Sequence, residues 1–136
     1  MDNIEAKLNQ YQPQILSIFR IVFGLLILQH GFSKWFGFPM PSPAGISLAA
    51  LVGWAGVIEL ICGGLVLVGL FTRYAAFLLS GQMAVAYFYA ANRLARGFTP
   101  LGNGGNLEVA YCFAFLLLVF FGAGVWSLDA QFRKKT

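Results

Sequence analysis

Apolar residues along this chain fall into four long runs, separated by short breaks rich in proline, glycine or polar residues. A helix that crosses a bilayer needs about 20 mostly apolar residues. The runs predict such helices near Ile15–Phe36, Ile46–Phe71, Tyr74–Asn92 and Leu107–Trp126. The first follows an amphipathic, polar N-terminus and is closed by Phe38-Pro39-Met40-Pro41-Ser42-Pro43, since proline fixes φ and removes a backbone donor. The second is the longest and so the one able to tilt. Thr72-Arg73 leaves so short a link that the second and third helices must be antiparallel neighbours. A loop, Leu101-Gly102-Asn103-Gly104-Gly105-Asn106, leads into the fourth. Nothing alternates with strand period over the length a membrane barrel requires. The predicted fold is all-α, a four-transmembrane-helix bundle forming one domain over residues 1–136.

Composition agrees with that pattern. Hydrophobic residues make up 59% and charged residues 10% of the chain, against roughly 45–50% and 25% in a soluble domain. The lipid bilayer is therefore the expected solvent. The net charge of +4 does not point to nucleic acid, because Arg133, Lys134 and Lys135 form a tail without interleaved aromatics. Beside a membrane helix, such a tail sets orientation and meets anionic lipid. Asp2 and Glu5 spoil a signal-peptide n-region and Arg20 interrupts the first apolar run, so the first helix is expected to stay in the mature protein. Four crossings bring both termini to one side, with Lys7, Arg20, Arg73, Arg133, Lys134 and Lys135. Lys34, Arg93 and Arg96 fall on the other. The positive-inside rule puts the richer side, and both termini, in the cytoplasm of a bacterial inner-membrane protein.

Polar residues at membrane depth are functional suspects, since a charge there costs roughly 2.5–3.5 kcal/mol on insertion scales. Glu59 is the clearest, on a face of the second helix shared with Gly53, Gly56 and Gly63. Such small residues let helix backbones approach closely in lipid. Gly24 and Gly31 make the matching face of the first helix. Counting 1.5 Å per residue from the predicted helix ends puts Arg20 within roughly 5 Å of the level of Glu59. An Arg20–Glu59 pair, completed by Gln82, is the expected arrangement; its plain alternative is a pair that only fixes helix register. A second cluster lies toward the outer face. His30 and Lys34 stack one turn apart, Glu108 opens the fourth helix at their level, and Asn92, Asn103 and Asn106 could ring the entrance. Taken singly, His30 reads as an interfacial histidine and Lys34 as a snorkelling lysine.

The same inventory bears on cofactors. One histidine cannot give bis-histidine haem ligation, and Cys62 and Cys112 form no Cys-x-x-Cys pair, which argues against iron–sulfur clusters and dithiol chemistry. The two cysteines differ by roughly 16 Å in expected depth, beyond disulfide reach. No metal site is expected. Trp35, Phe36, Phe38, Tyr87, Phe88, Tyr89 and Phe98 gather toward the outer boundary. Interfacial aromatic belts account for most of them; a slot for a flat quinone ring, with His30 or Glu108 as hydrogen-bond partner, is the further possibility.

The ordered set Arg20…His30-Gly31-x-x-Lys34, then Glu59 in a glycine-rich second helix, resembles the DoxX family of small bacterial membrane proteins. So do Gly69-Leu70-Phe71-Thr72-Arg73, Asn103-Gly104-Gly105 and Gly122-Ala123-Gly124-Val125-Trp126-Ser127-Leu128-Asp129. The likeness covers about Leu16–Asp129. In many relatives an acidic residue directly follows the Asn-Gly-Gly loop, whereas here Asn106 comes first and Glu108 lies two positions later. The resemblance implies a four-helix inner-membrane protein linked to redox metabolism, some members resembling the small membrane subunit of a thiosulfate:quinone oxidoreductase. It leaves three readings: a subunit handling electrons or protons near the quinone pool, a non-catalytic anchor or assembly factor for a partner complex, and a small transporter working as a homo-oligomer.

Overall fold

A computed structural model describes residues 2–41, 48–89 and 94–135. Every regular element among them is helical. Helix α1 spans Asp2–Phe36, α2 Leu51–Val68, α3 Thr72–Tyr89, α4 Pro100–Asn103, α5 Asn106–Phe121 and α6 Leu128–Arg133, with a 3₁₀ turn at Leu94–Arg96. The predicted start of the second helix at Ile46 and end of the third at Asn92 lie outside the described residues. The polar N-terminus is not a separate segment. It continues α1 through Pro13, whose carbonyl accepts from Ser17 Oγ at 2.9 Å.

Among the described residues two helices, α1 and α2, are by length and composition apolar enough to cross a bilayer; α5 is apolar but 16 residues long. The second helix is shorter than its apolar run because Gly69, at φ 74°, takes the left-handed conformation that ends it. Gly69 N and Leu70 N both donate to Leu65 O at 2.9 Å, closing the last turn. The Thr72-Arg73 stretch, expected as the link, is already the first turn of α3; the reversal is made by residues 69–71.

The bundle is built from two close pairs, α1 on α2 and α3 on α5, which meet along a looser α2–α3 seam. The core between them holds Ile27, Val66, Leu79, Phe115 and Leu118, all sealed from the surface. Large apolar side chains also face outward from every long helix, among them Ile61, Phe77, Phe113 and Phe120. A soluble monomer does not tolerate an exterior of that kind; hydrocarbon does.

Candidate functional site

The glycine face of α2 does what its spacing promised. A Cβ added at Gly24 would lie 2.9 Å from the backbone of Leu67, and one at Gly63 would lie 3.0 Å from Ile27 Cγ2. At the far end Gly56 lies beneath Trp35 and the stem of Lys34, and Trp35 Nε1 donates to Gly53 O at 3.2 Å. This close approach leaves Glu59 only 1% exposed. It also lets the lysine stem run flat along α2, so that Lys34 Nζ reaches Glu59 Oε1 at 2.6 Å. Gln82 Nε2 of α3 donates to the same oxygen at 2.8 Å.

The expected Arg20–Glu59 pair is therefore incorrect, while Gln82 does join Glu59. Arg20 sits opposite the last turn of α2, because Gly24 packs on Leu67. That is about 10 Å along the helix from Glu59, seven residues at 1.5 Å each. Its guanidinium donates to Val66 O at 3.3 Å, Ala123 O at 3.2 Å, and to Leu67 O and Trp126 O. Val66 O also accepts from Gly69 N at 3.1 Å, whereas the other carbonyls lie past the last helical bonds, where a cation is favoured. Arg73 does the same for α5, donating to Val119 O at 2.7 Å and Phe120 O at 2.8 Å. Asp129 completes the knot by accepting from Phe71 N at 2.9 Å and Thr72 N at 3.0 Å, at the start of α3. Arg20 thus belongs to the structural end of the bundle.

At the other end the polar residues meet a cavity of about 710 Å³ among α1, α2, α3 and α5. His30, Lys34, Glu59, Gln82 and Glu108 all line it, and the rest of its wall is mostly apolar, including Ile27, Trp54, Ile58, Phe77 and Tyr89. His30 Nδ1 lies 2.8 Å from Leu26 O. A carbonyl only accepts, so Nδ1 carries the proton and Nε2 is the ring's other nitrogen, an acceptor in neutral imidazole. Glu59 Oε2 and Gln82 Oε1 are buried without a hydrogen-bond partner among the described residues.

Other expected site residues fall elsewhere. Asn106 is exposed on the first turn of α5 and does not line the cavity. Asn103 is 1% exposed and holds its own loop, donating to Tyr87 Oη at 2.9 Å and Gly97 O at 3.0 Å, and accepting from Gly105 N at 2.9 Å. Asn92 lies outside the described residues. Of the seven outer aromatics Tyr89 alone lines the cavity. Cys62 and Cys112 are free. Among the described residues no three of His, Cys, Asp and Glu come together as a metal site would require. Sequence reasoning missed Tyr111, which is 4% exposed, lines the cavity and meets the His30 ring edge-on at 5.6 Å. The signal was its i+3 spacing from Glu108 on one face of α5.

Comparison with known proteins assigns the sequence to a family. The DoxX family model matches residues 15–92. An uncharacterized protein of Haemophilus influenzae is 40% identical over 99% of this chain and its own full length. An uncharacterized membrane protein of Mycobacterium tuberculosis is 30% identical, covering 90% of this chain and 83% of its own. A further uncharacterized protein of Haemophilus influenzae is also 30% identical, over 88% of this chain. No solved structure matches the chain significantly. With its apolar exterior, the 40% identity to a relative matched over its full length and the family match over more than half its residues, this chain belongs to the DoxX family of membrane proteins.

Proposed function

We propose that this protein is a four-pass inner-membrane protein, both termini cytoplasmic, that handles electrons or protons near the quinone pool as the small membrane subunit of a redox assembly. Its cavity takes the quinone from the bilayer. The observation that carries this reading is the Lys34–Glu59–Gln82 cluster on the inner wall of an otherwise apolar cavity. Concave sites for small molecules share this build, with volumes of about 300–1,000 Å³ and a few convergent polar groups. Trp54, Phe77, Leu78 and Val85 combine membership of the cavity wall with exposed, outward-facing positions on α2 and α3, which supports entry from lipid along the looser seam. Helices α3 and α5, about 27 and 24 Å long at 1.5 Å per residue, supply the third and fourth crossings, α5 with the turn that follows it.

The test is a titration of the protein in lipid nanodiscs with a short-chain benzoquinone. Saturable binding at one equivalent is expected. Gly81→Leu should weaken it at least tenfold, because Gly81 lines the cavity and a Cβ there meets nothing within 4 Å. Binding that never saturates, or that Gly81→Leu leaves untouched, removes the pocket from the reading.

One observation favours the anchor reading as a second function. Residues 3–13 of α1 are exposed, and Ile4, Leu8, Tyr11 and Ile15 recur on one face of that arm at heptad spacing. An arm of this kind suits a protein partner. Its deletion should abolish co-purification of that partner while quinone binding persists.

A further inference from the structure

We infer that α1 carries a homodimer seam: two copies of this chain pair in parallel along its outward face, from the N-terminal arm to Phe32. This rests on the reading of the arm as a protein-docking face and names the partner it docks.

The arm presents four exposed large apolar side chains, Ile4, Leu8, Tyr11 and Ile15, at spacings of four, three and four residues. They hold alternating d and a positions of a heptad. The same phase continues into the membrane-crossing part of α1 through Ile18, Val22, Leu25 and Phe32, each exposed. From Ile4 to Phe32 this makes a seam of about 42 Å, sustained over about four heptads. It lies opposite the face of α1 that packs on α2, where Gly24, Ile27 and Gly31 are buried. Pairing there leaves the cavity and the α2–α3 seam uncovered.

Two stretches of this seam are poorly served by lipid hydrocarbon, and they identify its occupant. Residues 15–36 already match a hydrocarbon core of about 30 Å. The arm therefore lies in water, where its apolar stripe needs either protein or the bilayer surface. Helices that lie on a bilayer surface are rich in Lys and Arg, whereas between Asn3 and Gln14 the only charges are Glu5 and Lys7, which cancel. The second stretch is Gln29, at an a position. It is exposed, seven residues inside the Phe36 end of α1, and its side chain makes no hydrogen bond among the described residues. Hydrocarbon offers that amide no partner.

A second copy satisfies both stretches at once. Membrane insertion gives every copy the same orientation, so a two-fold axis along the seam sets stripe on stripe and Gln29 on its own counterpart. An amide carries both donors and an acceptor, so it is its own complement. Interhelical bonds of this kind hold helices together in lipid, and one polar residue at an a position specifies register and oligomer state. Lys7, at g, meets Gln12 of the partner subunit at e, so no like charges oppose each other.

The experiment places single cysteines in the full chain, on a background of Cys62→Ala and Cys112→Ala, and oxidises them in native membranes. Leu8→Cys and Ile15→Cys should give a disulfide-linked band at twice the monomer mass. Ala6→Cys and Gln10→Cys, on the other side of the arm, should give none. In a detergent dilution series Gln29→Leu should raise the dimer dissociation constant severalfold and Leu8→Glu at least tenfold, with thermal unfolding reporting that each variant is folded. Equal cross-linking through Leu8→Cys and Ala6→Cys, or none at any position, overturns the seam. A heavier product containing a different protein, joined through Leu8→Cys, overturns the second copy and leaves the docking reading standing. Quenching of a fluorophore at position 8 by brominated lipid puts the arm on the bilayer surface and overturns both.

Discussion

Two cations and one carboxylate at membrane depth had two ways to pair, and the length of a side chain's reach decided between them. Arg20 carries a planar fork that suits several carbonyls at once, and the end of α2 offers them. Lys34 carries a flexible stem that Gly56 lets lie along α2, so its point charge travels inward to Glu59. The consequence can be read in double-mutant stabilities. Lys34→Met strands a carboxylate that is 1% exposed, and should cost about 3–5 kcal/mol. Glu59→Gln should cost less, because Lys34, at 23% exposed, can turn toward water. The two together should show an interaction energy of about 1–3 kcal/mol. Arg20→Met should be as damaging as Lys34→Met, by orphaning carbonyls at two chain reversals, yet add to Glu59→Gln within about 0.5 kcal/mol. Thermal or denaturant unfolding in detergent measures the three single variants and the two double variants. Strong coupling between Arg20 and Glu59 would restore the pairing that the structure rejects.

At the scale of elements, two devices hold the bundle: glycines where α1 crosses α2, and charged side chains on the helix ends. The glycines are not equivalent, although the sequence offers no way to rank them. Gly24 faces the backbone of Leu67, which cannot rotate aside, whereas a Cβ at Gly64 meets nothing within 4 Å. Gly24→Ala should therefore lower stability by about 1–3 kcal/mol through overpacking. Gly64→Ala should be neutral or slightly stabilising, since alanine is the better helix former. Equal melting temperatures for the two variants in the same detergent would contradict the α1–α2 contact. The helix ends follow a common electrostatic rule: Arg20 and Arg73 sit at C-terminal carbonyls and Asp129 at N-terminal amides. The motifs Gly69–Arg73 and Gly122–Asp129 are accordingly scaffold, locked together by Asp129 N donating to Gly69 O at 2.8 Å.

For the whole molecule, the knot of Arg20, Arg73 and Asp129 marks one end of the bundle and the Lys34–Glu59 cavity lies toward the other. In the proposed topology the first end, with its excess of basic residues, faces the cytoplasm. A reporter that works only in the cytoplasm, fused after Thr136, should be active; activity from a periplasm-only reporter at that position would invert the topology. The sequence by itself determined the helical class, the lipid-facing composition, the glycine face of α2 and the suspicion attached to Glu59, Gln82, His30, Lys34 and Glu108. Those features are local: apolar run length, 3.6-residue periodicity and the cost of charge in hydrocarbon are all properties of a single segment. The tertiary structure decided where Gly69 stops α2, which cation Glu59 receives, and that Tyr111 joins the cavity. The last two depend on the register between helices. That register is set by backbone contacts such as Gly24 on Leu67, and an error of seven residues in it moves a charge by about 10 Å, farther than the side chains can bridge.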